Sequence, residues 1–119
     1  MPNNDREIPR DQWVPFFASF SSRHEGWLVS VDILDAAGGN EIVHDAALAG
    51  ISVDGDGVAI TALGREGAHL THILEHPDSV VLELEPGGAE KSVTIRAGTT
   101  ATRVQFRSTL LPEMVDGMP

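Results

Sequence analysis

The stretch GWLVSVDIL, residues 26–34, decides the fold. Trp27, Val29, Val31 and Ile33 alternate with Leu28, Ser30, Asp32 and Leu34, the two-residue repeat of a strand with one apolar face. Just before it, DQWVPFFASFSSRHEG repeats differently. Trp13, Phe16, Phe17 and Phe20 fall at i, i+3, i+4 and i+7, one stripe of a helix. The period changes at Gly26, a residue suited to the left-handed turn that ends a helix. Asp11 is placed to cap the first turn, and Arg23 and His24 sit near the negative end of the helix dipole. With Asp11 as the cap, Pro15 removes the first backbone bond and loosens the start. The aromatic stripe predicts packing onto a sheet; a partner-docking face is the alternative.

Downstream of this change everything reads as strand and turn. AAGGN breaks the chain, and ALAGISVD is a second strand, begun by EIVH if an irregular step is allowed. DGDG at 54–57 is a hairpin turn, with VAITAL returning from it and GREG turning again. AHLTHIL, EHPD and SVVLELE follow; His76 precedes Pro77, which biases it towards extended backbone. PGG at 86–88 turns the chain into SVTIRA and TATRVQFRS, a last hairpin with Val93, Ile95, Val104 and Phe106 on its inner face. The expected fold is α+β, mainly β: one N-terminal helix, then about six or seven antiparallel strands in a small Sm-like or SH3-like barrel or rolled sheet. Residues 1–119 are expected to form one domain, with a polar arm at 1–10, the helix at 11–25, a β body at 27–107 and a tail at 108–119 packed on the sheet. Leu110, Leu111, Met114 and Val115 of that tail are suited to covering an open sheet edge.

Several stretches taken together, REIPRDQWVPFF, GWLVSV, LAGISVD, HLTH and FRSTLLPEMVDG, resemble the short bacterial proteins grouped as domain of unknown function 5335. The resemblance spans nearly the whole chain, and its opening and closing stretches are the more specific. It implies a bacterial, stand-alone, single-domain protein. It implies no catalytic residue, since that family has no established activity.

Bulk composition narrows the function. Hydrophobic residues make up 41% and charged residues 22% of the 119, both in the globular range. With no cysteine there is neither a disulfide framework nor thiolate chemistry. The opening dozen residues lack the pattern of a secretory signal, and no apolar run is long enough to span a bilayer, so a soluble cytoplasmic protein is expected. A net charge of −10 opposes nucleic acid and anionic membrane as partners. The charge is segregated: residues 91–107, KSVTIRAGTTATRVQFR, carry four basic residues and no acid.

Most catalytic patterns fail on inspection. HLTHILEHP places His69, His72 and His76 on one face only if helical; in the strand this context favours, His69 and His72 diverge and His76 lies in the turn. They are weak candidate metal ligands, and no cofactor is expected. DGDG lacks the third ligand of a calcium loop, and its twelfth position is Arg65 rather than Glu. GISVD has Asp54 where a nucleophile elbow needs glycine. Glu83 and Glu85 share the outer face of a strand, suited to pairing with Arg96 or Lys91 rather than to acid–base work. Arg103, Gln105 and Arg107 alternate on one face of the last strand with Arg96 near them, a surface suited to an anion or an acidic partner unless these arginines pair with Glu83 and Glu85.

The expectation is therefore a non-enzymatic binding or assembly protein. Arg96, Arg103 and Arg107 form its interaction surface, and its partner is a second copy or another protein. A metal-dependent binder or hydrolase using the His69, His72 and His76 region is the alternative. A small-molecule sensor using the barrel interior is a third reading, provided the core leaves room.

Overall fold

The computed structural model of the chain describes residues 5–35, 37–64 and 69–106. Strand β1 (Arg6–Ile8) leads through a short 3-10 turn (Arg10–Gln12) into helix α1 (Trp13–His24). Seven strands follow: β2 (Leu28–Asp35), β3 (Gly38–Asp54), β4 (Gly57–Leu63), β5 (His69–Glu75), β6 (Ser79–Leu84), β7 (Glu90–Ala97) and β8 (Thr100–Phe106). They form a single eight-stranded sheet in the order β1-β6-β7-β8-β2-β3-β4-β5. Every neighbouring pair is antiparallel. The expected mainly β plan with one N-terminal helix is present; seven strands follow the helix, within the six or seven expected, and one further strand precedes it. The sheet is open, with β1 and β5 at its edges.

Residues 6–8, expected within a polar arm, are the extra strand. Ile8 is buried, and its carbonyl accepts a 2.9 Å hydrogen bond from the Trp13 indole N–H. A three-residue strand with one buried side chain shows no readable alternation. The helix begins later than expected, with Gln12 rather than Asp11 as its cap and no capping side chain. Asp11 belongs to the 3-10 turn. This shift corrects the reading of Pro15: it becomes the third helical residue, where no backbone N–H has an intrahelical acceptor, so it costs no bond. Gly26, at φ +87°, ends the helix, and its N–H donates to Leu48 O at 2.8 Å.

Strand β3 runs unbroken for 17 residues, where AAGGN and the changing period suggested a break and a shorter strand. Its pairing shifts beside Val31 and again between Leu48 and Gly50, and Asp45 stands at φ +53°. Such bulges bend a strand and swap its faces, which erases a clean alternation. The second bulge meets the helix: the Ser21 hydroxyl donates to Ile51 O at 3.0 Å and accepts from Ile51 N–H at 2.8 Å. Trp13, Phe17 and Phe20 from the helix then complete a core with Val29, Val31, Leu48, Ile51, Val93, Val104 and Phe106. His76 is a further correction. It stands at φ +53° rather than extended, held by its N–H bond to Asp56 O at 3.1 Å, ahead of buried Pro77. The tail with Leu110, Leu111, Met114 and Val115, and most of the GREG turn, lie outside the described residues.

Candidate functional site

Strand alternation gives each candidate residue its face. Pairing aligns Val58 with Leu74, Ile60 with His72 and Ala62 with Leu70, so His72 looks to the core side with Leu70 and Leu74. His69 and Ile73 take the opposite face, and His76 lies beyond the strand's end. The three histidines therefore do not converge. Among the described residues no group of three or more His, Asp or Glu side chains is placed to hold a metal ion.

The core side is not completely filled at β5. A hollow of about 370 Å³ is lined by Val31, Val43, Ile60, Ala62, Leu70 and His72, with Ile42, His69 and Thr71 completing it. On the other side of His72 a second hollow of about 370 Å³ reaches Ile33, Ala97, Thr100 and Thr102. Strands β5 and β8 stand four places apart in the sheet order yet line this same space, so the sheet turns back over itself. His72 thus stands between two hollows. Burial lowers its pKa below the ordinary 6.5, which keeps the ring neutral at pH 7, with one N–H donor and one lone-pair acceptor. Apolar walls around a few polar groups are the usual makeup of a small-molecule site.

The basic hairpin has a different character. Glu83 lies opposite Ser92, and Arg103 lies one strand further on, opposite Thr94. Because Ser92 is small, Glu83 and Arg103 meet beside it: Arg103 donates to Glu83 Oε1 at 3.0 Å and Ser92 Oγ donates to the same oxygen at 2.8 Å. Arg103 is thereby committed to its own sheet. Arg96, opposite Ser79, is exposed and has no side-chain partner among the described residues. Arg107 lies outside the described residues.

His24, expected only as a group near the negative end of the helix dipole, is buried at 5% exposure. Its Nδ1 lies 2.9 Å from Phe20 O and its Nε2 lies 3.1 Å from Glu90 Oε1, a carboxylate that also pairs with Arg23. Its ring sits among Phe20, Trp27 and Phe106, with centroids 4.5–4.7 Å away. The available signal was its place four residues after Phe20, on the helix's aromatic stripe; Glu90 was not readable as its partner. Burial depresses the His24 pKa, outweighing the Phe20 carbonyl and Glu90, which raise it. Well above pH 6.5 neither native nor unfolded His24 is protonated; as pH falls through 6.5 the unfolded chain takes up a proton that the native chain refuses. Stability is expected to fall as pH drops from 6.5 towards the depressed native pKa, by up to about 1.4 kcal/mol per pH unit for one such group. Urea unfolding between pH 7.5 and 5 checks this, and His24→Gln should reduce the dependence, leaving the share of half-buried His72.

Among the described residues no helix is long and apolar enough to cross a membrane. Among the described residues the fold is mainly β: one open, turned-back antiparallel sheet packed by a single α-helix. The chain belongs to a family of unknown function, DUF5335, whose model matches residues 4–114. No curated protein matches it, and no solved structure does.

Proposed function

We propose that this is a non-enzymatic binding protein, and that the hollow beside His72 takes a small, mostly apolar ligand bearing one hydrogen-bonding group. The lining carries the reading: Val31, Ile42, Val43, Ile60, Ala62 and Leu70 are its apolar members, half-buried His72 is the most enclosed polar group, and exposed His69 and Thr71 complete it. Its volume of about 370 Å³ falls within the usual range for such sites, roughly 300–1,000 Å³. The lining includes no Asp, Glu, Lys or Arg, so nothing on it suits general acid–base work beside the histidines. The Sm-like or SH3-like barrel belongs to this proposal as a description of the turned-back sheet, supported by the hollow that β5 shares with β8. A cytoplasmic location fits the absence of cysteine.

Titration with the fluorescent apolar probe anilinonaphthalene sulfonate tests the site. Ile42 lines the hollow at 38% exposure, so Ile42→Trp fills the space with little cost to the core. The folded wild type should bind the probe, and Ile42→Trp should weaken binding at least tenfold. Equal binding by both proteins would remove the hollow as the site.

A second reading keeps the C-terminal hairpin as a surface for an acidic partner, supported by Arg96, which is exposed and has no side-chain partner among the described residues. It is narrower than Arg96, Arg103 and Arg107 acting together, since Arg103 already has a carboxylate. The metal-dependent alternative built on His69, His72 and His76 gains no support from the geometry.

A further inference from the structure

Strand β5 is an unusual sheet edge. Its seven residues pair with β4 along their whole length, and among the described residues no strand pairs with its other side. The opposite edge, β1, is only three residues long. Exposed edges are normally blunted by Lys, Pro, a bulge or shortness. HLTHILE contains neither Lys nor Pro, and its pairing with β4 runs without a register shift. It also displays apolar side chains, Ile73 at 54% and Leu70 at 39% exposure.

The identity of the missing neighbour is written in the strand. Residues directly opposite in an antiparallel pair point to the same side of the sheet. Two copies related by a two-fold axis through the sheet must therefore centre on a residue, not between two. Centring on His72 uses the whole strand: Leu70 faces Leu74, Thr71 faces Ile73, and His69 faces Glu75, each twice. Apolar meets apolar on the core side, and on the outer side both Glu75 carboxylates meet an imidazole. Centring on Thr71 or Ile73 forfeits the His69–Glu75 pairs and leaves one end of the strand unmatched. We infer that a second copy of this chain docks edge to edge along β5, in the antiparallel register centred on His72, to make one continuous sheet of both molecules. The docking does not depend on the hollow binding a ligand.

The chain has no cysteine, so single-cysteine variants test the register directly. Opposed residues in an antiparallel pair lie about 4.5–5.5 Å apart at Cα, within disulfide reach. With limiting oxidised glutathione, His72→Cys should cross-link to itself. Thr71→Cys and Ile73→Cys should each cross-link poorly alone and readily when mixed. Sedimentation equilibrium supplies a test that leaves the strand's apolar side chains intact. His69→Glu places like charges opposite Glu75 twice and should weaken the dimer about tenfold, while His69→Glu with Glu75→Lys should restore it. A wild-type monomer at 100 μM would overturn the inference. A dimer whose His72→Cys form does not cross-link would place the contact elsewhere and overturn it equally. A monomer with slowly exchanging outer-edge β5 amides would give the edge to another part of the same chain. The effect of Ile42→Trp on anilinonaphthalene sulfonate binding, a change outside β5, reports on the hollow and separates its failure from that of the docking.

Discussion

Phe20→Ala is expected to lower the free energy of unfolding by about 3–5 kcal/mol, the range for emptying a buried aromatic site. Phe20 has no exposed surface, and its ring stacks on Phe106 with centroids 5.7 Å apart. It also lies 5.6 Å from Phe16 and 4.6 Å from the His24 ring. Removing it opens a cavity where helix α1, strand β8 and the buried histidine meet, so the loss includes support for His24. A stabilising total of about 5–15 kcal/mol is typical of a domain, so this one change should bring the protein close to unfolding at 37 °C. Urea denaturation read by tryptophan fluorescence measures it. A loss below about 1 kcal/mol would mean that the helix does not pack as described.

Gly57→Ala is expected to have the second largest effect, about 1–3 kcal/mol or more. A Cβ built at Gly57 would lie 2.8 Å from the Leu74 carbonyl oxygen. The obstacle is backbone, in the paired strand β5, and cannot rotate away. Gly57 opens β4 after the Gly55–Asp56 turn, and β5 passes close to it. Glycine here serves close approach of two backbones. Gly55, in the same DGDG sequence, has open space around its Cβ position and stands at φ +63°. Gly55→Ala should therefore cost only the strain of that conformation, roughly 1 kcal/mol. Parallel melts of the two variants separate steric contact from backbone strain; equal losses would contradict the assignment.

The sequence was most informative where structure is local. The aromatic stripe from Trp13 to Phe20 and the alternation from Trp27 to Leu34 both read correctly, because the side chains of one element bury on one face. The DGDG turn and the hairpin joining SVTIRA to TATRVQFRS read correctly, because Gly and Asp supply the backbone conformations that tight hairpins need. Three features were not legible. The length of β3 was hidden because bulges near Val31 and Leu48 break the period. Strand β1 was hidden because its one buried side chain, Ile8, makes no pattern. The sheet order was hidden because β1 joins β6, and β2 joins β8, through pairings far apart in the chain.

The site was harder to read than the fold. That His72 belongs to a strand was readable from its flanks. That it stands between two hollows depends on the sheet turning back, which no local pattern encodes. The charge of Arg103 was visible, but its commitment to Glu83 depends on small Ser92 lying between them in register. Glu90 joins Arg23 and His24 across 67 residues of chain measured from Arg23, a distance over which sequence order carries no pairing information.

Methyl NMR reads out directly whether the hollow beside His72 binds a ligand. Folded protein is titrated with anilinonaphthalene sulfonate, and the methyl signals of Val31, Ile60, Ala62 and Leu70 are followed with the His72 ring signals. If His72 and its neighbours line a binding site, saturable shifts concentrate on these five residues, with the methyls of Val80 and Leu82 unmoved. Shifts spread evenly over the sheet, or confined to residues away from His72, would contradict it.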